Sequence, residues 1–287
     1  MWRLRGLSVR QATFSPMKIF EDIATAVGFA VAALLSFYLI PEFFSGGNGD
    51  AMFEYAVMAF VAFYIIRALH MSTLRFFRLP EISFISGIGF VLAGIYCYMR
   101  VFTDDPVSLT FTEKVLGLIY LLLIGLGEEL VARGFIFGVF DKYGTPVAVF
   151  VSSLVFALMH LNLYLGEYWN AQNAYYHVLH TFGFAVLAAA VMLATKSIWT
   201  VVLMHAVSDW GVVFSKNAPD GYIPPVEPWD PAWDVVVHSF NSVVFPITFA
   251  LIIFVAMWLS KKRFNPKWLK PLLMRWKLVE VEEEVKD

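Results

Sequence analysis

Residues 127–134 read Gly-Glu-Glu-Leu-Val-Ala-Arg-Gly, and they interrupt a run, residues 115–140, that is otherwise almost wholly apolar. A run of this length and composition predicts a membrane-spanning helix. Glu128, Glu129 and Arg133 are therefore expected at the depth of the hydrocarbon. An ionised group costs several kcal/mol there unless it is paired or faces water. We take these three residues as functional candidates for that reason.

The spacing of the three charges predicts different roles for them. Glu129 and Arg133 are four residues apart and share a helical face, whereas Glu128 is rotated by about 100° from Glu129. We interpret Glu129 and Arg133 as an internal ion pair. Glu128 is then the carboxylate that remains available for chemistry.

The composition excludes a soluble globular domain. Of 287 residues, 59% are hydrophobic and 15% are charged, and the mean hydropathy is +0.68. Such a chain is expected to be an all-α, polytopic membrane helix bundle with membrane lipids as partners. The net charge of −2 and the lack of a basic patch give no indication of nucleic-acid binding. The single cysteine, Cys97, excludes an intramolecular disulfide and a cysteine-rich zinc site.

The hydropathy pattern predicts about eight transmembrane helices, with a polar turn at residues 45–50, a first-turn proline at Pro146 and a kink at Pro246. These helices are expected at residues 19–40, 51–68, 82–101, 113–140, 146–165, 174–195, 198–214 and 235–259. Residues 1–18 and 260–287 are expected to be a cytoplasmic N-terminal segment and a cytoplasmic tail. Between them, residues 19–259 form one membrane-embedded domain with a motif core at residues 113–214.

The distribution of lysine and arginine predicts the orientation in the cell membrane. Basic residues concentrate in the N-terminal segment, the loop at residues 67–78, Lys142, Lys196 and residues 261–263. Cytoplasmic loops carry such an excess. We therefore expect a multi-pass protein with both termini in the cytoplasm.

Two further predicted helices carry polar groups at membrane depth. Phe156 and His160 share one face of the first, and His205 and Asp209 share one face of the second. If these helices pack against the one that carries Glu128, the titratable groups meet in one cavity.

Such a cluster can activate water in either of two ways. A partly buried glutamate can accept a proton from water while one histidine orients that water and another stabilises the oxyanion. Alternatively, Glu128, His160, His205 and Asp209 can bind a zinc ion that carries the water. Either route hydrolyses an amide or an ester, and the sequence leaves both open.

Each of these elements alone has a commoner explanation. A lone intramembrane histidine more often bonds a neighbouring helix, and a Glu-x-x-x-Arg pattern is usually a structural ion pair. The His205/Asp209 pair alone would also suit a proton-coupled transporter. The occurrence of all three in one chain, in this order, favours a catalytic site.

The three motifs together resemble those of the CPBP family of intramembrane proteases, also called the Abi family. That family includes the type II CAAX prenyl endopeptidases and the bacteriocin self-immunity proteins. The motifs that carry the resemblance are Glu128-Glu129-x-x-x-Arg133, Phe156-x-x-x-His160 and His205-x-x-x-Asp209.

The resemblance implies a role for each of these residues. Glu128 would be the general base, helped by His160, and His205 with Asp209 would stabilise the oxyanion or bind a metal. Glu129 and Arg133 would support the position of Glu128, and Phe156 would pack beside His160. The last motif ends in asparagine in the prenyl endopeptidases, whereas this chain has Asp209, as many bacterial relatives do. The resemblance therefore implies a membrane-associated or lipid-anchored peptide substrate without specifying a prenyl group.

Two alternatives to proteolysis stay open at this point. One is a catalytically silent adaptor or immunity protein of the same fold, and the other is a proton-coupled transporter. His177 and His180 lie outside the motifs, and their i, i+3 spacing puts them on one helical face, where they line the cavity or cap the bundle. We favour the structural interpretation because the aromatic residues near them are typical of a membrane interface.

Overall fold

The structure is a computed structural model that describes residues 20–22, 24–25, 28, 48–101, 107–161, 171–215, 236–237 and 239–261. These residues are almost entirely helical, as the all-α prediction requires. Several predictions lie outside the described residues: most of the first helix, the N-terminal segment, nearly all of the tail and residues 45–47 of the polar turn.

Nine α-helices follow one another along the described residues: α1 (Asn48–Ala68), α2 (Phe84–Val101), α3 (Phe111–Glu129), α4 (Phe137–Phe140), α5 (Thr145–Met159), α6 (Ala171–Thr195), α7 (Ile198–Ser208), α8 (Trp210–Phe214) and α9 (Phe245–Lys261). Short 3₁₀-helices cover Ser72–Phe76 and Asp141–Tyr143, and π-helical segments cover Leu130–Ile136 and Phe240–Val244.

Four stretches of the described residues are long and apolar enough to cross a membrane: Phe84–Val101, Phe111–Tyr143, Ala174–Thr195 and Ser242–Ser260. The protein is therefore a helical membrane protein, and the total of eight spans stays a prediction.

Three predicted helices end or begin at other residues than expected. α1 begins at Asn48, so residues 48–50 belong to the helix and not to the preceding turn. α5 ends at Met159, and His160 is its C-cap rather than a residue in mid-helix. The helix predicted at residues 198–214 is broken at Asp209, which caps α7 before α8 begins.

The helix predicted at residues 113–140 is continuous but not uniformly α-helical. It begins two residues earlier, at Phe111, after a capping box in which Thr110 accepts from the Glu113 N–H and Glu113 accepts from the Thr110 N–H. Directly after Glu129 it widens into the π-helical segment, where the Phe137 N–H bonds to the carbonyl of Ala132, five residues back. The Thr73 hydroxyl donates to the Gly134 carbonyl over 2.6 Å. Such π-turns occur frequently at functional sites.

The centre of the bundle is α6. In the most apolar 18 residues of Ala174–Thr195, 72% are buried, against 22% in Phe84–Val101 and 28% in the corresponding part of Ser242–Ser260. Its residues 187–191 are fully buried, and three of them are alanines. Small side chains allow the backbones of membrane helices to approach closely, so α2, α5, α7 and α9 can all pack on α6.

The basic connections between the helices meet at one end of the bundle. Arg75 pairs with Asp141 at 3.0 Å, which joins the α1–α2 connection to the α4–α5 turn. Glu81 pairs with Lys196 at 2.5 Å, which joins the α1–α2 connection to the α6–α7 link. The three connections that the sequence placed on one side therefore lie together.

Candidate active site

The last turn of α3 carries two carboxylates, those of Glu128 and Glu129, and they lie in different surroundings. Glu129 is fully buried, and its Oε2 lies 3.1 Å from Nε of Arg133, so the predicted ion pair is present. The Glu128 side chain keeps 17% of its exposure and faces two histidines from other helices. The two glutamates diverge because neighbouring residues of a helix point about 100° apart.

Arg133 is held by more than its carboxylate partner. Its Nη2 donates to the Ala185 carbonyl of α6 over 3.0 Å, and its Cζ lies 4.6 Å from the centroid of the Phe156 ring. Nε and Nη1 make no aligned hydrogen bond within the described residues, so the contact with Glu129 is ionic rather than directional. Phe156 is thus the aromatic face under a buried cation and not merely a packing residue.

The C-terminus of α5 supplies His160. Its Nδ1 lies 2.8 Å from the Phe156 carbonyl oxygen, which can only accept, so Nδ1 is the donor, and in the neutral ring Nε2 is then an acceptor. That Nε2 is 3.6 Å from Oε2 of Glu128. The backbone of α5 thereby fixes both the tautomer and the direction of the ring.

The C-terminus of α7 supplies His205 and Asp209. Nδ1 of His205 lies 2.8 Å from Oε1 of Glu129, and its Nε2 lies 3.3 Å from Oδ2 of Asp209 and 3.7 Å from Oε2 of Glu128. Both ring nitrogens face carboxylate oxygens, so a doubly protonated ring would donate on both sides. The close approach of the helices depends on Gly125, where a Cβ would lie 2.7 Å from the Val202 carbonyl oxygen of α7.

These contacts define a carboxylate–histidine cluster of Glu128, Glu129, His160, His205 and Asp209. Glu129 contacts Arg133 and His205, and the support of Glu128 by Glu129 and Arg133 that the resemblance implies stays a prediction. Glu129 thus links the buried ion pair to the second histidine. Whether these residues catalyse a reaction stays a prediction at this point.

Two side chains that sequence reasoning did not assign to the site contact the cluster. The Tyr55 hydroxyl of α1 donates to Oε1 of Glu128 over 3.4 Å. The His177 ring of α6 lies 5.2 Å from the His160 ring, centroid to centroid, so His177 borders the cluster. Neither belongs to one of the three motifs. The spacing of His177 with His180 left a cavity-lining role open, whereas the contact of Tyr55 depends on how the helices pack. His180 instead contacts the Tyr96 hydroxyl at 3.3 Å.

A metal ion requires several nitrogen or oxygen donors that converge on one point. Among the residues that the structure describes, no group of three or more His, Cys, Asp or Glu side chains is placed to hold one. Nε2 of His160 and Nε2 of His205 both face Oε2 of Glu128, at 3.6 and 3.7 Å, and Oδ2 of Asp209 lies 3.3 Å from the second of these nitrogens. Participation of a metal ion stays a prediction, and the steps below use the groups of the chain alone.

Comparison with known proteins bears directly on this cluster. Residues 110–211 match the family model described as type II CAAX prenyl endopeptidase Rce1-like. The chain contains an Rce1-like domain. This domain spans α3 to the start of α8 and includes every residue of the three motifs, which confirms the resemblance to the CPBP family. No curated protein matches the chain. The family that this model describes is a family of proteases.

Proposed function

We propose that this protein is an intramembrane endopeptidase in which Glu128 activates the attacking water. The observation that carries the proposal is the position of the Glu128 Oε2 atom. This oxygen is buried and makes no hydrogen bond to any described residue, yet it lies 3.6 and 3.7 Å from two imidazole Nε2 atoms. A buried, unpaired carboxylate oxygen is costly in a structural role and useful in a general base.

The separations support a bridging water. At 3.6 Å, the Glu128 and His160 atoms are too far apart for a direct hydrogen bond, and a polar gap of this size suits a water bound to both. Such a water would donate one proton to Glu128 and the other to Nε2 of His160, which presents its lone pair. Its own lone pair is then free to attack a carbonyl carbon.

The remaining groups supply the rest of an amide hydrolysis. Glu128 takes the proton as the water oxygen bonds to the carbonyl carbon. His205 donates from Nε2 to the oxyanion, with Glu129 on its Nδ1 and Asp209 beside Nε2 to hold the ring. Glu128 then returns the proton to the leaving nitrogen, and the peptide bond breaks to give a carboxylic acid and an amine; the acid then passes its proton to the amine, so that a carboxylate and an ammonium group leave.

The proposed substrate is a peptide at or within the membrane. The supports are the Rce1-like domain, whose family description names prenyl endopeptidases, and the apolar helices that carry the site. The asparagine that ends the last motif in those enzymes is replaced by Asp209. The proposal therefore does not specify a prenyl group on the substrate, and the assay tests peptides with and without one.

The test is a cleavage assay on the purified protein in lipid nanodiscs. Fluorogenic peptides with a C-terminal Cys-aliphatic-aliphatic-X sequence are supplied with and without a farnesyl group. We expect the wild type to cleave at least one, and Glu128→Gln to lose about a hundredfold or more in kcat. Glu113→Gln is the matched control, because it changes a glutamate of the same helix that lies in the capping box. Its activity should equal that of the wild type.

Each outcome has a definite reading. Retained activity in Glu128→Gln would refute the proposed base. A wild type that cleaves no peptide would favour the silent adaptor, and proton flux in liposomes would favour the transporter. Activity that EDTA removes and zinc restores would show that a metal ion takes part, with Glu128, His160, His205 and Asp209 as its proposed ligands.

A further inference from the structure

The two carboxylate oxygens of Glu128 have different neighbours. Oε2 faces the two histidines, as described above, whereas Oε1 faces α1, where the Tyr55 hydroxyl donates to it over 3.4 Å. α1 lies outside residues 110–211, so the Rce1-like match assigns nothing to Tyr55. The contact joins the proposed base to a helix that the motifs do not include.

The Tyr55 end of this contact is held in place by the packing of α1 on α3. Gly127 lets the two helices approach, since a Cβ there would lie 2.6 Å from Cε of Met58 and 3.1 Å from the Tyr55 carbonyl oxygen. The Tyr120 ring packs edge-on against the Tyr55 ring, with centroids 6.1 Å apart. Because Tyr55 is fixed from two sides, its hydroxyl can define the direction of a more mobile side chain.

At the Glu128 end, the direction of the carboxylate oxygens depends on rotation about the last bond of the side chain. A carboxylate at the end of a glutamate turns easily about its terminal bond, where the energy wells are broad. A hydrogen bond to Oε1 restricts that rotation, and since the group is planar it also sets the direction of Oε2. The direction it sets is the one that faces Nε2 of His160 and Nε2 of His205.

We propose that Tyr55 is a positioning residue that turns the Glu128 carboxylate so that Oε2 faces the attacking water. The inference rests on the proposed function and adds a residue from α1 to it. Tyr55 acts through Glu128 and touches neither the water nor the scissile bond. Its loss should therefore slow the chemical step and leave the binding of the peptide unchanged.

The first experiment compares Tyr55→Phe with Tyr120→Phe in the cleavage assay. Both remove one hydroxyl from neighbouring rings, but of the two hydroxyls it is that of Tyr55 that donates a hydrogen bond to Glu128. We expect Tyr55→Phe to lower kcat roughly five- to tenfold with KM within twofold of the wild type, and Tyr120→Phe to change neither. Equal kcat values for the two variants would overturn the inference. A rise in KM at unchanged kcat would overturn it too, because Tyr55 would then bind the substrate.

A second experiment does not depend on turnover. The thermal midpoint is measured for the wild type, Tyr55→Phe, Glu128→Leu and the double variant, which form a double-mutant cycle. We expect the loss caused by Tyr55→Phe to disappear when Glu128→Leu is already present, because the acceptor is gone. Additive losses would show that the two side chains are not coupled and would overturn the inference. If the wild type cleaves no peptide, the proposed function fails, and this cycle still decides whether Tyr55 holds Glu128.

Discussion

Replacing Arg133 by methionine should destabilise the protein strongly, because the change leaves a buried carboxylate without its counter-charge. Arg133 and Glu129 are both fully buried, and Nε lies 3.1 Å from Oε2. Methionine has a similar length and fills much of the same space. The variant therefore tests the charge and its contacts rather than the volume of the side chain.

The expected magnitude follows from three contacts. Removing one partner of a buried ion pair costs about 3–5 kcal/mol, since the other charge stays buried. The bond from Nη2 to the Ala185 carbonyl and the contact with the Phe156 ring are lost at the same time. These losses are not additive, and we expect a total of about 3–5 kcal/mol. For a chain of this size that corresponds to a fall of about 6–20 °C in the thermal midpoint.

The chain provides its own reporter for this measurement. Cys97 is its single cysteine, is partly buried, and has its Sγ 3.6 Å from the Met204 carbonyl oxygen. Because the thiol is partly buried, a thiol-reactive fluorophore should label it faster when the bundle opens, so the labelling rate against temperature gives the midpoint. Arg75→Met is the matched control, because Arg75 pairs with Asp141 at 3.0 Å but is half exposed. An exposed pair of this kind contributes about 0–1 kcal/mol.

The double variant Glu129→Gln/Arg133→Met separates charge from packing. It should recover part of the lost stability, because no uncompensated charge remains and the amide oxygen can still accept from His205. If Arg133→Met melts at the same temperature as Arg75→Met, the reasoning about the buried pair is wrong.

The close contacts of α3 and the exposed pair near the α6–α7 link provide two further predictions. Gly125→Ala should lower the free energy of unfolding by about 1–3 kcal/mol and also lower the rate of cleavage, because its Cβ would lie 2.7 Å from the Val202 carbonyl oxygen. Gly94→Ala is the control, because its Cβ would meet nothing within 4 Å, and it should leave the thermal midpoint unchanged or raise it. Lys196→Ala should raise the pKa of Glu81 in an NMR titration, because the hydrogen bond from Lys196 holds that pKa below its ordinary value. The stabilisation from this pair exists above the ordinary pKa of glutamate and is lost as the pH falls through the lowered pKa of the folded protein.

Much of the bundle could be predicted from hydropathy alone. Helices at Phe84–Val101 and Ala171–Thr195 lie within a few residues of the expected bounds, because an apolar run of that length has one stable form in a membrane. The ends of α5 and α7 were missed, since neither His160 nor Asp209 is a helix breaker and both are followed by residues that could continue a helix. These ends depend on the contacts that the two residues make in the folded bundle.

The candidate site, too, was predicted only in part. Spacing within one helix predicted the Glu129–Arg133 pair and separated Glu128 from it, because both follow from the helical repeat. It could not show that Glu129 also contacts His205 of α7, nor that Tyr55 of α1 and His177 of α6 border the cluster. Those contacts depend on which helices pack together, and one sequence carries no measure of that.

The π-helical segment at Leu130–Ile136 has a consequence for how this chain tolerates changes in length. A π-turn holds about one residue more than an α-turn, so deleting one residue there would let the helix close into a regular spiral. Every side chain beyond the deletion would then rotate by about 100° against those before it. Gly138, which allows Thr73 and Met71 to approach, would turn away from them, while Glu128 and Glu129 would stay in place. The extra residue thus sets the rotation of the later side chains about the helix axis, so that one helix places Glu128 and Glu129 in the cluster and also packs Gly138 against Thr73 and Met71.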